Sequence, residues 1–193
     1  MTALSGTFSW AYPNVPPTLA SQWSQGQANL ITKGGVMAFE GDHNMAVDGD
    51  AGPMVWTALV NAIATRQADS RPYDYLFANQ SQPETLTVWQ NGQDVFNTPA
   101  NTGISDAQTT PGTFAVYERL ATQVMKGTNP DGTPYADPVS YVAYFNASEA
   151  VHYIDRSSYG SPQSLGCIEL PLPAAQTVFG MDYYGTLVTI TSG

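Results

Sequence analysis

The stretch TLTVWQNGQDVFNT, residues 85–98, has a run of strand-forming residues on each side of Asn91-Gly92. A two-residue hairpin turn needs positive φ angles at both central positions, and Asn-Gly tolerates them well. The stretch therefore predicts a β-hairpin. Because similar short runs alternate with Gly- and Pro-rich turns, we expect a sandwich or barrel in this part of the chain. Further strands are predicted at residues 73–79, 112–120, 139–147, 150–156 and 186–192, with a short helix at 173–182.

The first part of the chain has a different hydrophobic spacing. Apolar residues recur at helical intervals from Lys33 onward, and a second helix is predicted to begin at Pro53, because proline suits a first helical turn. The spacing changes across the polar residues 65–72. We therefore predict an α+β fold, with a small helical module over residues 1–70 and a mostly-β domain over residues 71–193. One face of the second helix is predicted to consist of Val55, Leu59 and Ile63.

The composition excludes several classes of partner. The chain has 193 residues, and its 6 basic and 16 acidic residues give a net charge of −10. Nucleic acids and anionic membrane surfaces are bound through basic patches, so neither is expected here. No apolar run approaches the roughly 18 residues of a membrane span. The first residues also lack the charged start and apolar core of a signal peptide, so an exported form is expected to be the mature chain.

Cys167, the only cysteine, lies in SPQSLGCIELP, residues 161–171. A thiolate nucleophile needs a base, hydrogen-bond donors for the oxyanion, and access. Of the two histidines, His43 belongs to the helical module, whereas His152 lies in a predicted strand. A reversal through residues 157–162 is expected to bring His152 beside Cys167. The residues alone leave two interpretations of Cys167 open. It is either a nucleophile or a packed core thiol, and a lone cysteine among apolar residues is more often a core thiol.

Four segments of the C-terminal part follow one another in a distinctive order. They are ETLTVWQNGQDVFNTPANTG (84–103), TTPGTFAVYE (109–118), VHYIDRSSYGSPQSLGCIEL (151–170) and YGTLVTIT (184–191). Together they resemble the catalytic domain of the L,D-transpeptidases, the YkuD-like family. The third segment is similar to the family's active-site signature, a His followed by Ser-His-Gly-Cys. It departs from the signature at Leu165, which replaces the second histidine, and at Glu169, where Arg or Asn usually follows.

The resemblance implies a role for each matching residue. Cys167 is the expected nucleophile, and His152 is the base that takes its proton and later returns it to the leaving amine. The main-chain carbonyl of Tyr153 is expected to orient the imidazole, with the side chain of Asp155 as the rival for that role. The backbone N–H groups of Gly166 and Cys167 are expected to form the oxyanion hole. The expected substrate contacts are Tyr144, Arg156 and Ser164. No metal or cofactor is implied.

The resemblance also implies an activity in cell-wall biogenesis. An exported L,D-transpeptidase would form an acyl-enzyme with a peptidoglycan stem peptide and pass the acyl group to an amine, which creates a 3-3 cross-link. Carbapenem-type inhibitors are expected to acylate the same thiol. If water resolves the acyl-enzyme, the protein is an L,D-carboxypeptidase. The departures at Leu165 and Glu169 leave open a catalytically dead protein that only binds the cell wall.

Two further segments carry expectations of their own. GGVMAFEGDHNMAVDGDAGPMVWTALV, residues 34–60, is similar to a peptidoglycan-binding domain, which implies that the helical module binds the cell wall. The Gly- and Pro-rich segment at residues 126–138 is too long for a tight turn. We expect it to be either a lid over the active site or an ordinary surface loop.

Overall fold

The computed structural model describes residues 8–192, which form two β-sheets and a few helices. The helices are α1 (Pro17–Ala20), α2 (Leu30–Asp42), α3 (Pro53–Ala64) and α4 (Leu172–Met181). The strands are β1 (Asp74–Asn79), β2 (Thr85–Gln90), β3 (Gln93–Pro99), β4 (Gly112–Ala115), β5 (Glu118–Thr128), β6 (Pro134–Asn146), β7 (Glu149–Tyr153), β8 (Ile168–Leu170) and β9 (Leu187–Thr191). This mostly-β arrangement preceded by helices confirms the predicted fold class.

The first sheet has the strand order β3-β2-β1-β9-β4, and the second has the order β5-β6-β7-β8. The predicted hairpin is β2 and β3, and its turn residues Asn91 and Gly92 both have positive φ angles. Between the sheets lies a core of aliphatic and aromatic side chains that also includes one face of α4. Its largest fully buried members are Leu76, Leu86, Ile168 and Leu170.

The segment at residues 112–120 was expected to be one strand, but the structure divides it between the two sheets. β4 pairs with β9 in the first sheet, and β5 pairs with β6 in the second. The division falls between two neighbouring residues: the Val116 N–H donates to the Thr186 carbonyl, and the Tyr117 N–H donates to the Tyr144 carbonyl. The expectation was wrong because an unbroken apolar pattern does not show which sheet supplies each backbone partner.

The segment at residues 126–138 is mostly strand. β5 continues to Thr128 and β6 begins at Pro134, so irregular backbone is limited to residues 129–133. The expectation of a long loop was therefore wrong. β7 pairs with β6 only from Ser140 onward, so the first part of β6 has β5 as its single neighbour. The two strands project beyond the sheet as a ribbon, hereafter the β5–β6 ribbon.

Helix α2 begins earlier than predicted because Asn29 caps it. The Asn29 side chain accepts a hydrogen bond from the Thr32 N–H, and the Thr32 hydroxyl accepts one from the Asn29 N–H. Such reciprocal caps satisfy two backbone donors that the helix itself leaves unpaired. Helix α3 does begin at Pro53, as predicted. Its predicted apolar face is only partly buried, since Ile63 is 76% exposed.

Helix α2 packs closely on the first sheet. Gly34 of α2 lies directly against Gly185, which precedes β9, so that backbone meets backbone with no room for a side chain. Leu30 and Ile31 pack beside this contact on a buried cluster formed by Leu19, Tyr75, Trp89 and Leu187. Among residues 8–192, no helix combines the length and apolar character needed to cross a membrane.

Candidate active site

Two adjacent parallel strands, β7 and β8, position the candidate catalytic residues. Val151 pairs with Ile168, and His152 pairs with Glu169. Because side chains alternate between the two faces of a sheet, His152 and Glu169 share a face. Cys167 immediately precedes β8 and lines the same cavity as His152, with a volume of about 410 Å³. The chain thus reaches β8 by a crossover connection and not by the expected simple reversal, and it still brings His152 and Cys167 together.

Ser164 organises the turn that leads into Cys167. Its hydroxyl donates to the Cys167 carbonyl oxygen at 2.6 Å and accepts from the Gly166 N–H at 3.1 Å. Gly166 has a φ of +116°, a backbone conformation that favours glycine. The backbone N–H of Ser164 donates to the Thr102 carbonyl, which ties the turn to the neighbouring loop. The Gly166 N–H, expected to bind the oxyanion, is therefore paired with a side chain in this structure.

Cys167 is a neutral thiol in this environment. Burial raises its pKa to about 12, and the carboxylates of Glu169 and Glu149 act in the same direction. A hydrogen bond with the Ala150 backbone opposes this increase. The Sγ atom lies 3.8 Å from the Ser148 carbonyl oxygen, at the distance of a weak thiol hydrogen bond. A thiol of this kind needs a base at the moment of reaction.

His152 is the only histidine among the described residues that line the cavity. It is 2% exposed, and burial lowers the pKa of its imidazole, while the Tyr153 backbone and the Glu169 carboxylate raise it. Its Nδ1 atom is buried without a hydrogen-bond partner among the described residues. The ring is therefore neutral near pH 7 and can accept a proton. Orientation of the ring by the Tyr153 carbonyl stays a prediction, and the rival Asp155 is exposed and does not line the cavity.

Glu169 and Arg156 form an ion pair beside His152. Arg156 Nη2 donates to Glu169 Oε1 at 2.6 Å, and Nε donates to Oε2 at 2.9 Å. Asn101 Nδ2 approaches Glu169 Oε2 at 3.4 Å. The sequence marked Glu169 as a departure from the family signature and Arg156 as a substrate contact. It contained no signal that the two side chains bind each other.

Residues of the β5–β6 ribbon line the same cavity as Cys167 and His152. The Tyr144 hydroxyl donates to Gln123 Oε1 at 2.8 Å, so this expected substrate contact is held in place at the cavity wall. Residues of the segment at 126–138 thus line the cavity, mostly as paired strands, and the role of a lid stays a prediction. The ribbon residues that line the cavity include Gln123, Met125, Lys126, Tyr135, Asp137 and Val139.

Glu149 is a residue of the site that the sequence did not reveal. Its Oε1 accepts from the Thr110 N–H at 3.1 Å and from the Thr110 hydroxyl at 2.8 Å. Its Oε2 accepts from Asn146 Nδ2 at 3.0 Å. The side chain also passes next to Gly166, where a Cβ would lie 3.5 Å from it. Glu149 therefore binds the loop before β4 and lies next to the turn that carries Cys167.

Other parts of the described chain offer no comparable chemistry. His43 caps α2, with its Nδ1 atom 2.8 Å from the Phe39 carbonyl oxygen, and does not line the Cys167 cavity. A larger cavity of about 670 Å³ lies between α2 and the end of α4, and no histidine or cysteine lines it. Residues 8–192 contain no group of three or more His, Cys, Asp or Glu side chains placed to hold a metal ion.

Comparison with known proteins identifies the family. Residues 73–190 match the model of the YkuD family, the L,D-transpeptidase catalytic domain. Because the match covers more than half of the sequence, the chain belongs to the L,D-transpeptidase family. A comparison with curated proteins found no match.

Solved L,D-transpeptidases share the fold. The enzyme from Mycobacterium smegmatis is 22% identical with a TM-score of 0.58, over 63% of this chain and 59% of that one. The NMR structure of the Enterococcus faecium catalytic domain is 28% identical with a TM-score of 0.55, over 61% of this chain and 95% of that one. The LD transpeptidase LdtMt1 in complex with imipenem is 26% identical with a TM-score of 0.58, over 62% and 59%. The chain thus spans less than two thirds of the mycobacterial protein's length.

Proposed function

We propose that the protein is an exported peptidoglycan L,D-transpeptidase that works through an acyl-enzyme on Cys167. The observation that carries the proposal is the convergence of Cys167 and His152, from adjacent parallel strands, in one cavity of a chain that belongs to the L,D-transpeptidase family. The proposed donor is a stem peptide with a D-amino acid after its third residue. The proposed product is a 3-3 cross-link.

In the acylation step, Cys167 attacks the carbonyl carbon of the third stem residue while its proton passes to His152. The C–N bond to the D-amino acid breaks, and His152 returns the proton to the leaving amine. A thioester remains on Cys167. Because the thiol pKa is raised and the imidazole pKa is lowered, a thiolate–imidazolium pair is unfavourable in the free site. We therefore infer that proton transfer accompanies attack on the bound substrate.

The oxyanion of the tetrahedral intermediate needs hydrogen-bond donors. We propose the N–H groups of Gly166 and Cys167 for this role. Since the Gly166 N–H is bound to the Ser164 hydroxyl at 3.1 Å, it must exchange that partner for the oxyanion. The Ser164 hydroxyl keeps its second contact, to the Cys167 carbonyl, and can hold the turn meanwhile.

In the deacylation step, an amine from a second stem peptide attacks the thioester carbonyl and loses a proton to His152. The Cys167–carbon bond breaks, and His152 passes the proton to the departing sulfur, which restores the thiol and the neutral imidazole. Water in place of the amine gives hydrolysis, the L,D-carboxypeptidase outcome. Leu165, at the position of the signature's second histidine, lines the cavity and cannot take a proton, so both outcomes depend on His152.

Intact-mass spectrometry after incubation with imipenem tests the acyl-enzyme. We expect one adduct on the wild-type protein and none on Cys167→Ser. Incubation with a tetrapeptide stem and a second stem peptide then separates a cross-linked dimer from a hydrolysed tripeptide. A folded wild-type protein that forms no adduct and releases no D-amino acid would show that the domain is dead and would overturn the proposal.

We also propose that the helical module binds the cell wall. Helix α3 turns several large apolar side chains toward solvent, and Trp56, which belongs to the segment similar to peptidoglycan-binding domains, is 59% exposed. Its exposed neighbours are Met54, Val60 and Ile63. Sedimentation of the full chain with isolated peptidoglycan should weaken in Trp56→Ala. Equal sedimentation of the two proteins, with Cys167 blocked in both, would contradict this role for α3.

A further inference from the structure

The Arg156–Glu169 ion pair is a part of the site that the reaction scheme leaves unused. The two side chains differ in exposure: Glu169 is 4% exposed, whereas Arg156 is 32% exposed. The carboxylate is therefore inside the protein, and the guanidinium extends from it toward the cavity that both residues line. A bidentate pair of this kind holds the guanidinium plane in one orientation.

Arg156 keeps hydrogen-bond donors beyond those that Glu169 uses. A guanidinium has five N–H groups, and Glu169 accepts one from Nε and one from Nη2. Among residues 8–192, Nη1 makes no hydrogen bond; the side-chain bonds of Arg156 come from Nε and Nη2. The Asp137 carboxylate on the β5–β6 ribbon lines the same cavity and acts on the pKa of Arg156 by its charge, but it forms no ion pair with it. At least two N–H groups therefore remain for a ligand.

The position of Arg156 relative to the Cys167 thiol determines which groups of a bound peptide can contact the guanidinium. Glu169 follows Cys167 by two residues, which is a distance of about 6–7 Å along a strand. Arg156 is bound to Glu169 and lines the same cavity as Cys167. A carboxylate a few bonds away from the carbonyl carbon that Cys167 attacks, on either side of the scissile bond, can reach the guanidinium.

We propose that Arg156 forms a carboxylate-binding subsite in the Cys167 cavity and that Glu169 is the positioning residue that presents it. The inference rests on the proposed transpeptidase function. It adds that the enzyme recognises a carboxylate of the donor peptide. The signature that this chain resembles has Arg or Asn at the position of Glu169. In this chain the guanidinium belongs to Arg156, which lies in the connection between β7 and β8, and Glu169 binds it through the ion pair. Since the guanidinium is ordered before the ligand arrives, little conformational entropy is lost on binding.

Two carboxylates of a stem-peptide donor fit this chemistry. One is the terminal carboxylate of the D-amino acid that leaves, and the other is a side-chain carboxylate on the third residue. Binding is measured by calorimetry on Cys167→Ser, which separates recognition from turnover. The probes are a tetrapeptide with both carboxylates free and two versions in which one or the other is amidated.

We expect amidation of the recognised carboxylate to weaken binding about 10- to 100-fold, the range of a charge-assisted hydrogen bond. In Arg156→Gln the free acid and the amide should bind equally. Arg156→Gln leaves the Glu169 carboxylate buried without its ion-pair partner, so this variant could fail to fold. In that case the same binding comparison is made with the double variant Arg156→Gln/Glu169→Gln, which removes both charges. Arg71→Gln is the matched control, since Arg71 is ion-paired with Asp42 and Asp69 outside this cavity.

Glu169→Gln tests the positioning role. With Cys167 intact, we expect KM for the free-acid donor to rise several-fold more than kcat falls, and the preference for acid over amide to shrink. Glu169→Asp, which keeps the charge, should recover part of that preference. Equal binding of acid and amides to the protein with native Arg156 and Glu169, or a preference that survives in Arg156→Gln, would overturn the subsite. A wild-type protein that prefers the acid but releases no D-amino acid would instead overturn the proposed function alone.

Discussion

The close contact between Gly34 and Gly185 allows a specific prediction about how α2 packs against the catalytic domain. An added Cβ at Gly34 would overlap the Gly185 carbonyl oxygen and lie 3.5 Å from Leu187 Cδ2. The overlapped atom belongs to the backbone, so no rotamer change can relieve the clash. Gly34→Ala must therefore push α2 away from the turn before β9.

The expected magnitude follows from two opposing effects. Overpacking in a close contact costs about 1–3 kcal/mol, or more. Alanine gains up to about 1 kcal/mol over glycine in a helix interior. We expect Gly34→Ala to lower the free energy of unfolding by about 1–2 kcal/mol. Gly35 is the matched control, because it lies in the same helix and a Cβ there meets nothing within 4 Å. Gly35→Ala should raise stability by about 0.5–1 kcal/mol.

Thermal unfolding of the wild type and both variants measures the difference. For a protein of this size, 1 kcal/mol corresponds to roughly 2–4 °C in Tm, so the two variants should differ by roughly 3–12 °C with opposite signs relative to wild type. Equal stabilisation by Gly34→Ala and Gly35→Ala would refute the reasoning, because it would mean that α2 does not rest on the Gly185 turn.

Three more predictions concern the site and the pH dependence. Cys167→Ser should keep the wild-type Tm and lose nearly all release of the D-amino acid; an unfolded variant would instead favour a packed core thiol. His152→Ala should slow acylation by about 10²–10⁴, the range for a general base, whereas Leu165→His should change it far less; wild-type rates in His152→Ala between pH 6 and 8 would contradict this pairing. Burial raises the pKa of Asp182 to about 6 from 3.8, against the effect of Arg119, so the folded state holds a proton that the unfolded state has lost. Wild-type stability should therefore fall as pH rises from about 4 to 6, by at most about 1.4 kcal/mol per pH unit, and Asp182→Asn should remove that slope in urea titrations.

Local signals in the sequence were sufficient for several features. Asn91-Gly92 predicted the hairpin of β2 and β3, because its turn depends only on the φ angles that those two residues tolerate. Pro53 predicted the start of α3 for a similar reason. The order of four segments between residues 84 and 191 led to the family, which the match over residues 73–190 confirmed. The roles of Cys167 and His152 stay predictions, although the structure places both in one cavity.

Other features depended on partners far apart in the sequence. No residue pattern showed that Val116 and Tyr117 bond to different sheets, or that most of the Gly- and Pro-rich segment at residues 126–138 is paired strand. The parallel register of β7 and β8 placed Glu169 beside His152, and the crossover connection brought Arg156 onto Glu169. Sequence by itself determined which chemical groups are present and where local turn chemistry is strong, as at Asn91-Gly92. Only the tertiary structure decided which of those groups meet, because strand pairing and ion pairing depend on backbone neighbours that local residue preferences do not specify.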